Sequence, residues 1–140
     1  REAVVARVAE INARFATPGW TPIVWDADDD HPRSMAALAR ADVVVVNPIR
    51  DGLNLVAKEA ALLNDRHARL VLSPEAGAWE ELGPWAERAD PFDVGATAAA
   101  LAAALDLPAA DRAARAAGLR TAAEAATPAT WLAAQLGAAG

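Results

Sequence analysis

The sequence predicts an α/β fold, a parallel sheet flanked by helices, and three observations carry that prediction. Val43 to Val46 is a run of four valines, apolar on both faces, as a strand in the middle of a parallel sheet requires. Arg69 to Leu72 is a second short apolar run. Pro48 ends the first run and Ser73-Pro74 the second, because proline cannot donate to a ladder. Stretches with apolar residues at helical spacing lie before, between and after these runs, and short strands alternating with helices are the pattern of an open α/β layer.

Each element follows from local chemistry. Val4, Val5, Val8, Ile11 and Phe15 recur at helical spacing, and Thr17-Pro18-Gly19 stops that helix. Thr21 to Trp25 reads as a short strand and Asp26 to Pro32 as a polar loop. Ser34 to Arg40 reads as a helix with Met35, Leu38 and Ala39 on its inner face. After the valine strand, Ile49 to Leu53 forms a turn on Asp51-Gly52, and Asn54 to Leu63 a helix. Glu75 to Gly77 is a turn and Trp79 to Leu82 a helical turn. Ala89 to Phe92 reads as the last strand. Thr97 to Leu105 and Ala109 to Ala125 are helices, the latter broken or bent near Gly118, and Trp131 to Leu136 closes the chain.

Composition narrows the function classes. The 140 residues suffice for one cored domain. Apolar residues make up 54%, but 40 residues are Ala, so the bulky core is leaner than that figure. A net charge of −6 argues against general nucleic-acid binding. The absence of Cys excludes disulfides and thiolate metal sites. Only His31 and His67 are present, and Asp28 to Asp30 beside His31 lack the Gly and distal Glu of a calcium loop, so no metal is expected. No run of about 18 bulky apolar residues exists, and no signal peptide opens the chain, so a cytoplasmic setting is expected. Arg1, not Met, opens directly into helical periodicity, which points to a segment of a longer protein. The five Trp are scattered in sequence, and packing is the expected role of each.

In a parallel α/β sheet ligands sit at the carboxyl ends of the strands, so the segment from Asn47 to Glu59 is the first place to look. Gly52 allows a sharp bend and close approach of a ligand. The amides of Leu53, Asn54, Leu55 and Val56 fall at a helix start, where they lack intrahelical acceptors and the dipole adds positive potential. Together they form a ready anion site, suited to a phosphate. Asp51, which would repel a phosphate, suits sugar hydroxyls, and Glu59 further along the helix suits the two hydroxyls of a ribose. The combination suggests a nucleotide sugar. The plainer reading of the same residues is a common Asp-Gly turn, an Asn54 helix cap and a solvated Glu59. Lys58, the only lysine, could contact a phosphate, but the favoured reading is a helix residue whose ammonium pairs locally or is solvated.

RDGLNLVAKE (Arg50 to Glu59) resembles the donor-site signature of the trehalose-6-phosphate synthases, retaining glycosyltransferases of family 20 with two Rossmann-like domains in the GT-B arrangement. The resemblance extends in order over EINARFATPGWTPI (Glu10 to Ile23), ADVVVVNPIRDGLNLVAKE (Ala41 to Glu59), RLVLSPEAGAWEEL (Arg69 to Leu82) and ADPFDVGATAAALAAALDLP (Ala89 to Pro108). It implies that residues 1–140 are part of the C-terminal, nucleotide-sugar donor-binding domain, without the N-terminal acceptor domain. By the same resemblance Asp51 touches the donor hexose, the backbone at Gly52, Leu53, Asn54 and Leu55 meets hexose hydroxyls and phosphates, and Glu59 holds the ribose. The loop from Asp28 to Ser34 lies where the family contacts the base, which makes Ser34 a base-contact candidate. Leu53 stands where Met is frequent, and Ala89-Asp90 replaces Val-Asn. The family's phosphate-clamping Arg and Lys and its catalytic residues lie upstream, so no catalytic residue is expected here.

The implied reaction transfers glucose from uridine, guanosine or adenosine diphosphate glucose to glucose 6-phosphate with retention, using no cofactor. A pseudo-glycosyltransferase of cyclitol (validoxylamine-type) biosynthesis fits the same residues. A non-catalytic binding module or receiver-like domain is the reading from another class. A receiver needs a phosphorylated Asp at the end of the central strand, where Asn47 stands, and a strand-end Lys, whereas Lys58 lies in a helix.

Overall fold

The computed structural model describes residues 1–125 and 127–138. They divide into two compact units, Arg1–His31 and Pro32–Gly140. The first unit is built on helix α1, Glu2–Phe15. The expected strand at Thr21 to Trp25 does not form. Its backbone is satisfied by a side chain instead: Asn12 Nδ2 donates to the Ile23 carbonyl at 2.9 Å, and the Ile23 amide donates to Asn12 Oδ1 at 3.0 Å. With those groups taken by one carboxamide, no neighbouring strand is needed.

The second unit is a three-layer α/β fold. Helix α2 spans His31–Arg40, so the polar loop ends before His31 rather than at Pro32. Strand β1 is Val43–Val46, α3 is Leu55–Leu63, β2 is Arg69–Leu72 and α4 is Trp79–Leu82. A 3₁₀ turn at Gly83–Trp85 leads into β3, Glu87–Arg88. Helices α5 (Val94–Asp106), α6 (Ala109–Ala125) and α7 (Pro128–Ala138) follow. The three strands are parallel in the order β1-β2-β3. Val43 lies opposite Arg69 and Val46 opposite Leu72, while Val71 lies opposite Glu87.

The middle strand is β2, not the valine run. All four β2 residues are buried, whereas Val45 of β1 is 46% exposed. The last strand also lies two residues earlier than its composition suggested. Pairing decides this: Leu72 and Arg88 are in register, and the Ala89 amide then donates to the Leu72 carbonyl at 2.9 Å.

Alternation along the strands divides the core between the two faces. Val44, Val46, Leu70 and Leu72 face Ala57 and Ala60 of α3 and Leu119 and Ala123 of α6. Val71 faces Ala104 of α5, together with Ala89 and the partly buried Val43 and Ala100. Helices α5 and α6 of the alanine-rich tail are thus thin helices that approach the sheet closely. On α2, Met35, Leu38 and Ala39 are the half-buried positions, as expected.

Helix α6 runs through Gly118 without a break. Glycine is there because the Trp85 indole lies against it: a Cβ would sit 2.6 Å from Trp85 Cε2. Gly118→Ala gains helix propensity but must expel or tilt the indole. A net loss of about 1–2 kcal/mol is expected, read as a lowered urea midpoint; an unchanged or raised midpoint would show that the ring accommodates the methyl group. The packing role expected of every Trp holds for Trp79, which lies on the core, and for Trp85. Trp20, Trp25 and Trp131 are exposed, and Trp85, though it lies against Gly118, is itself 41% exposed.

Candidate functional site

Because the strands are parallel, their carboxyl ends share one edge, and three connections leave from it: residues 47–54, 73–78 and 89–93. Hydrogen bonds tie them together. The Ser73 amide donates to the Val46 carbonyl at 2.9 Å. Asn47 Nδ2 donates to Thr97 Oγ1 at 3.4 Å, and that hydroxyl donates to the Asp90 carbonyl at 2.8 Å. The Asp51 amide donates to the Glu75 carbonyl at 3.1 Å, and the Gly77 amide to the Asp51 carbonyl at 2.8 Å.

Asp51 organises its own loop. One carboxylate oxygen accepts from the amides of Leu53 and Asn54, each at 3.3 Å, and the other accepts from Asn54 Nδ2 at 2.9 Å. The Asn54 side chain, then the Leu53 amide, hold this carboxyl below the ordinary carboxylate range; desolvation opposes them and the Asn54 amide adds to them. Asn54 is the hub. It sits in the left-handed region at φ 52°, ψ 76°, which asparagine tolerates better than most residues. From there its Oδ1 caps α3 by accepting from the Ala57 amide at 3.0 Å.

This geometry narrows the expected anion site. Of the four amides at the helix start, those of Leu53 and Asn54 face the Asp51 carboxylate. Among the described residues, only the amides of Leu55 and Val56 are left open at the end of α3. Gly52 does not use a left-handed conformation, and a Cβ there would meet open space.

Helix α3 carries two different faces. Ala57 and Ala60 turn inward, while Leu55 is 61% exposed and Val56 46%. Glu59 follows Leu55 by four residues, about 6 Å along the axis and on the same side. It is half-buried, and no hydrogen bond or ion pair engages its carboxylate among the described residues. Lys58 instead pairs with Glu81 of α4 at 2.7 Å, the local pairing expected of it. Ser34 stands exposed in the first turn of α2, not in a loop.

A cavity of about 330 Å³ opens between the Asp51 loop and residues 74–80, lined by Arg50, Asp51, Gly52, Glu75, Gly77 and Trp79 among others. Another, of about 270 Å³, lies at the opposite end of α3, between Asn64, Ala68 and Ala116. Only the first lies at the carboxyl edge of the sheet, where α/β folds hold ligands. Sequence reasoning did not single out Gly77 for this site; the Ala-Gly-Ala run of small residues was the available signal.

Two open helix-end amides and the unengaged Glu59 carboxylate thus stand at the carboxyl edge of a parallel sheet, where α/β folds hold ligands. Glycosyltransferase family 20 matches residues 1–139, and the chain belongs to that family. It is 42% identical over 118 residues to the trehalose-6-phosphate synthase of Klebsiella pneumoniae, covering 82% of this chain and 25% of that protein. It is 39% identical over 133 residues to validamine 7-phosphate valienyltransferase of Streptomyces hygroscopicus, covering 95% of this chain and 26% of that protein. The crystal structure of a UDP-forming α,α-trehalose-phosphate synthase from Burkholderia xenovorans superposes with a TM-score of 0.86 at 37% identity, covering 98% of this chain and 31% of that one. The chain thus spans about a quarter of the length of the curated relatives it matches. Among the described residues, no single helix is long and apolar enough to cross a membrane.

Proposed function

We propose that this chain is the donor-binding part of a retaining glycosyltransferase that moves glucose from a nucleotide sugar to glucose 6-phosphate, giving trehalose 6-phosphate. The observation that carries the reading is the pair of open amides, Leu55 and Val56, at the capped start of α3, with the free Glu59 carboxylate one turn on. In this reading the diphosphate of the donor meets the Leu55 and Val56 amides, the hexose lies against the Asp51–Asn54 loop in the 330 Å³ cavity, and the ribose is held by Glu59. Ser34 is the position proposed toward the base.

The reaction breaks the bond between the anomeric carbon and the diphosphate oxygen and forms one to the acceptor's hydroxyl oxygen, whose proton leaves with the departing diphosphate. Negative charge grows on the leaving diphosphate. Fixed amides at a helix end stabilise that charge with little reorganisation. No cofactor and no metal enter the proposal. The groups that clamp the phosphates with positive charge, and those that bind the acceptor, are assigned to other parts of the full-length protein, which is proposed to work in the cytoplasm. A trehalose-6-phosphate synthase solved with UDP-2-fluoro glucose bound, 36% identical with a TM-score of 0.79, supports the donor class. A Burkholderia xenovorans relative solved with glucose-6-phosphate supports the acceptor.

A second reading is a pseudo-glycosyltransferase joining cyclitols, supported by the valienyltransferase relative that covers 95% of this chain. The full-length protein offered uridine, guanosine and adenosine diphosphate glucose with glucose 6-phosphate decides between them. Trehalose 6-phosphate from at least one donor is the expected product. No transfer to glucose 6-phosphate, with turnover of a cyclitol nucleotide and a cyclitol phosphate, would replace the first reading by the second.

A further inference from the structure

We infer that Gly77 is a positioning residue that sets where the hexose side of the donor loop stands, separately from the nucleotide side. The inference rests on the donor-binding reading above. Gly77 touches the loop backbone to backbone: its amide donates to the Asp51 carbonyl at 2.8 Å, and the Asp51 amide reaches back to the Glu75 carbonyl at 3.1 Å. A Cβ on Gly77 would run into the Gly52 carbonyl oxygen, and would lie 2.6 Å from the Gly52 carbonyl carbon and 3.1 Å from the Leu53 nitrogen. Gly77 does not use a left-handed conformation. Space alone demands glycine here.

The direction of yielding is also set. Gly77 is itself exposed, but its neighbours anchor it: Ala76 and Ala78 are 3% and 0% exposed, and the segment starts from the fully buried Ser73. Close packing of those neighbours holds the Gly77 main chain in place. Gly52 is exposed, and Leu53 is 70% exposed. The obstacle is main chain, so no rotamer change relieves it. The loop must therefore move outward, by about 1.5 Å to restore ordinary contact. Helix α3 does not follow, because Ala57 and Ala60 fix it in the core and Lys58 ties it to Glu81 at 2.7 Å. The displacement shears the Asp51–Leu53 loop against the start of α3. In the proposed site that separates hexose contacts from diphosphate and ribose contacts.

The test uses Gly77→Ala in the full-length enzyme. A misplacement of about 1 Å at a reacting group costs about a hundredfold, so kcat/KM for the nucleotide sugar should fall about a hundredfold. The Kd of the nucleoside diphosphate, held by α3, should change less than about threefold. Gly118→Ala, whose obstacle is the Trp85 indole, should lower stability while leaving both constants per folded molecule unchanged. Gly137→Ala, where a Cβ meets nothing within 4 Å, should change neither. A Gly77→Ala enzyme with kcat/KM within threefold of the parent overturns the inference, and so does a loss of nucleoside diphosphate affinity that matches the loss of kcat/KM. A parent enzyme that binds no nucleoside diphosphate overturns the donor-binding reading instead. If Gly77→Ala does not fold, hydrogen exchange on the parent decides: nucleotide sugar should protect residues 51–54 and 75–77 together, while nucleoside diphosphate alone should protect 55–59 without 75–77. Residues 75–77 indifferent to the nucleotide sugar would overturn the inference.

Discussion

Asp51→Ala in the full-length enzyme is expected to lower kcat/KM for the nucleotide sugar on the order of a thousandfold. Two losses combine. In the proposed site the carboxylate itself accepts from hexose hydroxyls. It also gathers the loop, since the Leu53 amide, the Asn54 amide and the Asn54 carboxamide all converge on it. Without it, Asn54 loses the contact that steadies a left-handed backbone, and with it the cap on Ala57. Asp51→Asn should fall in between. Its Oδ1 can still accept from the two amides, but its NH₂ group then opposes the NH₂ of Asn54. Steady-state kinetics on both variants check the order, and equal activity of Asp51→Ala and the parent would remove Asp51 from the site.

The pH dependence has a definite sign. The carboxyl of Asp51 lies below its ordinary range because it accepts hydrogen bonds from Asn54 and Leu53. A group whose pKa is depressed on folding contributes order that is present above its unfolded value and is lost as pH falls through the folded value. Donor binding should therefore show no pH dependence arising from Asp51 between about pH 7 and about pH 5. The loop should loosen only below the usual carboxylate range.

Glu59→Ala is expected to weaken nucleoside diphosphate binding by about 2–3 kcal/mol, roughly a hundredfold, since hydrogen bonds to a charged acceptor contribute about 1.5–3 kcal/mol each. The side chain is half-buried and carries no ion pair or hydrogen bond among the described residues. Its removal therefore breaks no contact within the fold, and stability should hardly change. Calorimetric titration with the nucleotide and its dideoxyribose analogue isolates the role. The parent should prefer the ribose form and Glu59→Ala should bind the two alike. Unchanged affinity for the ribose nucleotide in Glu59→Ala would assign the ribose elsewhere.

These two variants and Gly77→Ala divide the site along one seam. Glu59 sits on a helix anchored by Ala57, Ala60 and the Lys58–Glu81 pair. Asp51 and Gly52 sit on a loop anchored by the backbone of Glu75 and Gly77. The nucleotide and the hexose are thus proposed to be held by parts of the chain with separate supports.

Short-range chemistry in the sequence determined much of this. Val43–Val46 and Arg69–Leu72 are read without error as strands because an apolar run ended by proline is a local signal. The segment from Asp51 to Glu59 is legible because a glycine turn between a strand and a helix has a fixed consequence for the following amides. The stretches around it resemble one family in order, and that family is the one the chain belongs to. What the tertiary structure decided is which groups meet. The valine run reads as the middle strand by its composition, but hydrogen bonding to β3 gives that place to β2. Thr21 to Trp25 has strand composition, but Asn12 takes the Ile23 backbone groups. Gly118 looks like a break in a helix until Trp85 is seen against it, and Gly77 looks like an ordinary turn glycine until Gly52 is. The carboxylate of Asp51 occupies two of the four amides that the sequence offers to an anion. Periodicity and composition describe one segment at a time, whereas each of these outcomes is set by a group that arrives from elsewhere in the chain or by the direction in which a short side chain turns.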